Sequence, residues 1–258
     1  MTEGSITTEV REHTLLIGLN RPEKYNGYTP TMAEQLIAAL TRLDEDANLW
    51  VGVIFGHGDH FTAGLDLPKW TERMASGESR DNEKIDVFGV GRACRKPIVT
   101  AVHGITFTFG IELALGGDIV IAADNSRFSQ LEPKRGVHAT GGATIRFVER
   151  GGWGNAMYHL LTSDEFDADE AYRIGLVQEI VPAGKQLERA IEIATLVATQ
   201  APLAVQATKA ASRRFVEEGF EAAVRELGPT QQRLMTSEDA NEGVLSFVER
   251  HQPVFKGR

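Results

Sequence analysis

Cysteine is nearly absent from this chain: Cys94 is the only one. A single thiol excludes a disulfide framework and any cysteine-based metal cluster. Net positive charge is missing too. The formal charge of −9 argues against nucleic acid as a partner, since nucleic acid is normally met by a basic face. A local basic patch for a phosphorylated small molecule remains compatible with that charge. Long apolar runs are also lacking, with none near the roughly 20 residues that span a bilayer. The first residues, Met1-Thr-Glu-Gly-Ser5, have neither the basic region nor the apolar core of a signal peptide. These absences predict a soluble, cytoplasmic protein without a membrane partner. No serine stands in a G-x-S-x-G turn, so nothing points to covalent catalysis.

What is present suits a large α/β unit, and 258 residues are enough for a sizeable core. Ile6–Val10 and Thr14–Leu19 read as strands of a hairpin turning at Arg11-Glu-His13. Thr29-Pro30 opens a helix, with Thr29 as N-cap and Pro30 at the first position. Met32, Leu36, Ile37, Leu40 and Leu43 recur there at helical spacing. Val51–Gly56, Ile98–Val102 and Leu176–Val181 have buried-strand patterns, while Ile85–Cys94, Thr144–Glu149, Trp153–Leu161 and Ala168–Ile174 read as helical. Beyond residue 186 the alternation stops. Leu187–Thr199, Leu203–Phe215, Phe220–Met235 and Ala240–Glu249 are four helical patterns with no strand between them. The expected organisation is a mixed α/β core over residues 1–186 and a helical region over 187–258.

Two acids stand out. Glu112 falls in the first turn of an apolar helix, flanked by Ile111, Leu113, Ala114 and Leu115, and Glu132 follows a short apolar strand. Two carboxylates sharing an apolar pocket can have their pKa values driven apart, giving one acid and one base. Taken singly, each also has a plain explanation: a first-turn acid favoured by the helix dipole, and a loop ion pair with Lys134 or Arg135. Two glycine-containing loops, Ala63-Gly64-Leu65 and Thr108-Phe109-Gly110, precede helices and can present unpaired N–H groups to an oxygen gaining negative charge; turn formation alone would also account for their glycines.

The histidines carry less. His57 and His60 lack a third metal ligand, and His103 fits a hydrogen-bonded core position. His138, near Glu132, is a minor pocket candidate. Gly89-Val-Gly91 begins like a dinucleotide fingerprint but lacks the third glycine and a preceding strand. No metal site is predicted.

Several segments together resemble the enoyl-CoA hydratase/isomerase family, the crotonases. They are Arg21-Pro-Glu-Lys-Tyr-Asn-Gly27, Phe61-Thr-Ala-Gly-Leu-Asp-Leu67, Lys96-Pro-Ile-Val-Thr-Ala-Val-His-Gly104, Gly110-Ile-Glu-Leu-Ala114, Asp118-Ile-Val-Ile-Ala-Ala-Asp124, Arg127-Phe-Ser-Gln-Leu-Glu132, Ala168-Asp-Glu-Ala-Tyr-Arg-Ile-Gly-Leu-Val177 and Pro253-Val-Phe-Lys-Gly257. The match spans nearly the whole chain, in order. It implies a crotonase-like spiral of ββα units with a C-terminal helical region that forms a homotrimer or a dimer of trimers.

The resemblance also implies chemistry. The backbone N–H groups of Leu65 and Phe109 would hold an acyl-CoA thioester carbonyl. Coenzyme A, part of the substrate and not a separate cofactor, would lie along Lys24, Tyr25 and Gly27 and along Ala63, Gly64, Asp66 and Leu67. Phe255 and Lys256 would reach the nucleotide end, in the same or a neighbouring subunit. Glu112 and Glu132 fill the two positions of the family's hydratases, which implies hydration of a trans-2-enoyl-CoA, with Glu112 on the water and Glu132 on the Cα proton. An enoyl-CoA isomerase or another crotonase-type reaction is the alternative, and a non-catalytic acyl-CoA-binding protein a further one. Thr108-Phe109-Gly110 at a usual glycine triplet, Leu131 at a usual proline, and the polar His138 and Thr140 depart from the common pattern. They point to an acyl group other than a simple straight chain.

Overall fold

The hairpin sets one edge of the main sheet. The structure, a computed structural model, describes residues 3–75 and 83–258. Its strands are β1 (Ser5–Arg11), β2 (Thr14–Asn20), β3 (Val51–Gly56), β4 (Ile98–Val102), β5 (Ile105–Phe107), β6 (Ile119–Ala123), β7 (Arg127–Ser129), β8 (Phe166–Asp167) and β9 (Glu179–Val181). β1 and β2 pair antiparallel from Ser5↔Asn20 to Arg11↔Thr14. The sheet then continues in parallel, in the order β1-β2-β3-β4-β6-β9. A smaller sheet has the order β5-β7-β8.

The parallel strands read as continuous apolar runs because both of their faces are covered. Leu15, Ile17 and Leu19 of β2 join the larger core beneath α1 (Pro30–Glu45), to which Met32, Leu36, Leu40 and Leu43 also belong. Leu16 faces the other way, with Val51, Val53, Val99, Ala101 and Ile121. That second face is closed by α6 (Gln186–Ala198), whose Ala190 and Ala194, one turn apart, are fully buried. The Thr29 hydroxyl caps α1, accepting from the Met32 N–H at 3.2 Å.

Other helices follow α2 (Leu67–Ala75): α3 (Phe109–Gly116), α4 (Ala143–Thr162), α5 (Ala168–Arg173), α7 (Pro202–Glu218), α8 (Phe220–Leu234) and α9 (Glu238–Glu249). The two helical patterns predicted over 144–161 form one element broken at Gly152, whose backbone lies at φ +74° and ψ 162°. α7 is tied back to the sheet: Lys209 Nζ donates to Asp118 Oδ2 at 2.7 Å and to the Lys96 carbonyl at 2.9 Å. On α8 and α9, Phe220, Phe247 and Val248 are 70%, 86% and 70% exposed.

Two expectations need correction. Ile85–Cys94 is not helical. Asp86 accepts from the Phe88 N–H with its side chain (2.8 Å) and from the Gly89 N–H with its carbonyl (2.9 Å), and Gly89 has φ +63°. An aspartate that bonds the amide two residues on offers the backbone a turn in place of a helix. The strand expected over Leu176–Val181 is confined to Glu179–Val181, because the Leu176 and Val177 N–H groups donate back to the Ala171 carbonyl at 2.9 and 3.2 Å.

Candidate active site

Glu112 is buried, 5% exposed, in the first turn of α3. The first residue of α4 reaches back to it, with the Ala143 N–H donating to Oε1 at 3.2 Å. Gly141 makes this approach possible: a Cβ there would lie 2.7 Å from both Cδ and Oε2 of Glu112 and 2.8 Å from Phe88 Cδ1. The Ala143 amide gives one oxygen of the buried carboxyl a donor.

Glu132 has a different setting. It is half-buried past the end of β7 and caps a single 3-10 turn, Pro133–Arg135. Burial pushes its carboxyl up to about 7; its own backbone N–H opposes that, and the Glu112 charge adds to it. The Glu112 contribution shows that the two carboxylates share one electrostatic neighbourhood. Gln130, 1% exposed, turns its amide toward Glu132; with the nitrogen facing the carboxylate it donates at 3.1 and 2.7 Å to the two oxygens.

The backbone amides around these acids are almost all engaged. In the first loop, Ala63 N–H donates to the Tyr25 carbonyl (2.9 Å), Gly64 N–H to Thr62 Oγ1 (3.1 Å) and Asp66 N–H to the Tyr28 carbonyl (2.9 Å). In the second, Thr108 N–H donates to the Ser129 carbonyl (2.9 Å), and Ile111 and Glu112 N–H to the Thr108 carbonyl (3.0 and 3.1 Å). Among the described residues, the amides left without an acceptor in these loops include those of Leu65 and Phe109. They are the two donors expected for an oxyanion. The loops are joined by bridges between Tyr28 and Leu65 and between Thr62 and Thr106.

The other expected site residues divide into groups. Ala63, Gly64 and Gly110 lie in the paired loops, and a Cβ on Gly110 would meet Thr62 Cγ2 at 2.7 Å. Lys24 and Tyr25 are exposed, Gly27 is buried and Leu67 is exposed. Asp66 has a structural partner: Arg21, 2% exposed, donates to Asp66 Oδ2 at 2.7 Å and to the Gly27 carbonyl at 3.0 Å. Its carboxylate therefore holds the 21–28 loop against the 61–67 loop. Buried Asn26 ties the same loop to the 57–60 turn, donating to the His57 and His60 carbonyls at 2.8 Å each, and its own carbonyl accepts from Thr62 Oγ1 at 2.7 Å.

The Phe109 ring, 2% exposed, stacks on Tyr28 at 3.9 Å and meets Phe88 edge-on at 5.4 Å. It is part of a packed aromatic wall. Leu131 is half-buried, and His138 and Thr140 are exposed on the segment leading to Gly141. Phe255 and Lys256 are not brought to the carboxylates: the Lys256 and Gly257 N–H groups donate to buried Asp239 of α9, at 2.6 and 2.8 Å.

His103 takes the expected core position, its Nε2 2.9 Å from the Gly58 carbonyl. Among the described residues no group of three His, Cys, Asp or Glu could hold a metal. The Gly89-Val-Gly91 segment lies in turns, and among the described residues no strand leads into it.

Comparison with known proteins bears on this geometry. The family model described as enoyl-CoA hydratase/isomerase matches residues 9–258. The chain belongs to the enoyl-CoA hydratase/isomerase family. It is similar to the 2,3-dehydroadipyl-CoA hydratase of Escherichia coli strain K12, with 32% identity across 96% of this chain and 97% of that one. It is 31% identical to the enoyl-CoA hydratase EchA19 of Mycobacterium tuberculosis strain H37Rv, over 97% and 96% of the two chains. Among solved structures, a probable enoyl-CoA hydratase/isomerase from Mycobacterium abscessus superposes with a TM-score of 0.94, at 48% identity and 98% coverage of both chains. The crotonase-like α/β fold with its C-terminal helices is thereby established.

Three contributors escaped the reading of single residues. Gln130 stands two positions before Glu132, and that spacing was its available signal. Gly141 acts through contact with a side chain 29 positions earlier, which no local pattern marks. Thr108 is marked by its backbone, at φ +48° and ψ −113°.

Proposed function

We propose that this protein is an enoyl-CoA hydratase that adds water reversibly to a trans-2-enoyl-CoA, giving a 3-hydroxyacyl-CoA. The supporting observation is the pairing of two unlike carboxylates beside two unused backbone amides. The Leu65 and Phe109 N–H groups take the thioester oxygen, which polarises the conjugated double bond. Glu112 accepts a proton from water as the water oxygen bonds to Cβ. The π electrons move toward the thioester oxygen, forming an enolate that the two amides stabilise by roughly a few kcal/mol each. Glu132, whose carboxyl lies at about 7, delivers its proton to Cα as the enolate collapses. Transfer of a proton from Glu112 to Glu132 through solvent then restores the starting state. Dehydration follows the same steps backward.

Coenzyme A enters as part of the substrate, along the 21–28 and 61–67 loops that Arg21, Asp66 and Asn26 hold together. The exposed apolar side chains of α8 and α9 favour a homotrimer or a dimer of trimers, with Phe255 and Lys256 available to a neighbouring subunit's nucleotide site. Incubating the purified protein with crotonyl-CoA and longer enoyl-CoAs, while following the conjugated-thioester absorbance, tests the reading. Loss of absorbance with formation of the 3-hydroxy ester is expected. Binding of these esters with no turnover of any of them would defeat it.

A further inference from the structure

Thr108 occupies a conformation that side-chain-bearing residues rarely adopt, φ +48° and ψ −113°, immediately before the unused Phe109 amide. A threonine at positive φ is strained and persists only where its surroundings over-determine it. Here they do so at three of its groups. Its N–H donates to the Ser129 carbonyl at the end of β7, the strand that leads to Glu132. Its carbonyl accepts from the N–H groups of Ile111 and Glu112 in α3. Its hydroxyl packs against Gly64, where a Cβ would lie 2.1 Å from Thr108 Oγ1. Gly64, itself at φ +105°, directly precedes the other unused amide, that of Leu65.

We propose that Thr108 is a positioning residue that sets the spacing and direction of the Leu65 and Phe109 amides, using its strained backbone for one and its hydroxyl wedge for the other. The inference rests on the oxyanion reading above. Glycine at position 108 can reach the same φ and ψ without strain, but it supplies no wedge against Gly64 and no lock on the turn. Strain relief and loss of positioning therefore pull stability and rate in opposite directions. A residue with a merely structural role would move them together.

The test compares Thr108→Gly and Thr108→Ser with the wild type for melting temperature, for kcat and KM on an enoyl-CoA, and for the enolate absorbance of a bound 3-ketoacyl-CoA. The last reports the oxyanion amides without requiring hydration. Thr108→Gly is expected to melt no lower than wild type, to lose about 10-fold in kcat with a smaller change in KM, and to weaken the enolate band. Thr108→Ser, which keeps Cβ and the hydroxyl, should restore most of the rate and the band. A Thr108→Gly protein with full rate and band overturns the proposal, as does one whose rate falls only in step with its stability. If the wild type shows the enolate band but hydrates nothing, the hydratase reading fails and the band alone decides on Thr108. If the wild type shows neither, both inferences fall.

Discussion

The first turn of α3 and the end of β7 each bring an acid to the same place, and the two regions treat it differently. Glu112 enters on a buried helix start, with a backbone N–H donating to it and glycine packed against it. Glu132 enters on a short turn, half-buried, with Gln130 and its own amide set against the cost of desolvation. The first setting supplies a backbone donor, and the second lifts the carboxyl to about 7. In the proposed mechanism these identical side chains serve as base and acid, each in the setting its element gives it.

Removing either acid breaks the comparison outright. Glu112→Gln and Glu132→Gln should each lower kcat for hydration by at least 10²-fold while leaving CoA-ester affinity nearly intact, measured by initial rates and by equilibrium binding. Two variants with unchanged rates would remove the acid–base roles. Gly141→Ala breaks only the α3 side: its new methyl overlaps Glu112, and kcat should fall by about 10-fold or more, with the Glu132 pH limb kept. Gln130→Leu sharpens the β7 side. Without the amide donating to the carboxylate, the charged form of Glu132 is less favoured, so its limb in the pH–rate profile should move to higher pH. A limb that moves down or stays fixed would separate Gln130 from Glu132.

Much of this arrangement was legible in the residues. The hairpin over 6–19, the Thr29 cap and the apolar strands at 51–56 and 98–102 follow from local pattern, and the structure repeats them closely. Glu112 and Glu132 were visible as acids in apolar surroundings, though only the whole-chain resemblance joined them. Residues 85–94 were misread because their apolar spacing suits a helix while Asp86 and Gly89 favour turns. The Asp66–Arg21 pair, the Gly141 contact with Glu112 and the Thr108 contact with Gly64 join residues 29 to 45 positions apart. No periodicity encodes such meetings, and the sign of a φ angle at threonine leaves no trace in composition.

The most direct test of the split between the two acids is the pH dependence of kcat/KM for hydration in the wild type and in Glu132→Gln. The reaction takes up no net proton, so kcat/KM changes with pH alike in both directions and one direction suffices. Hydration needs Glu132 protonated, so the wild-type value should fall as pH rises through about 7. The residual activity of Glu132→Gln should lack that limb. A wild-type profile flat through neutrality, or a limb near 7 that survives in Glu132→Gln, would contradict the assignment of Glu132 as the acid.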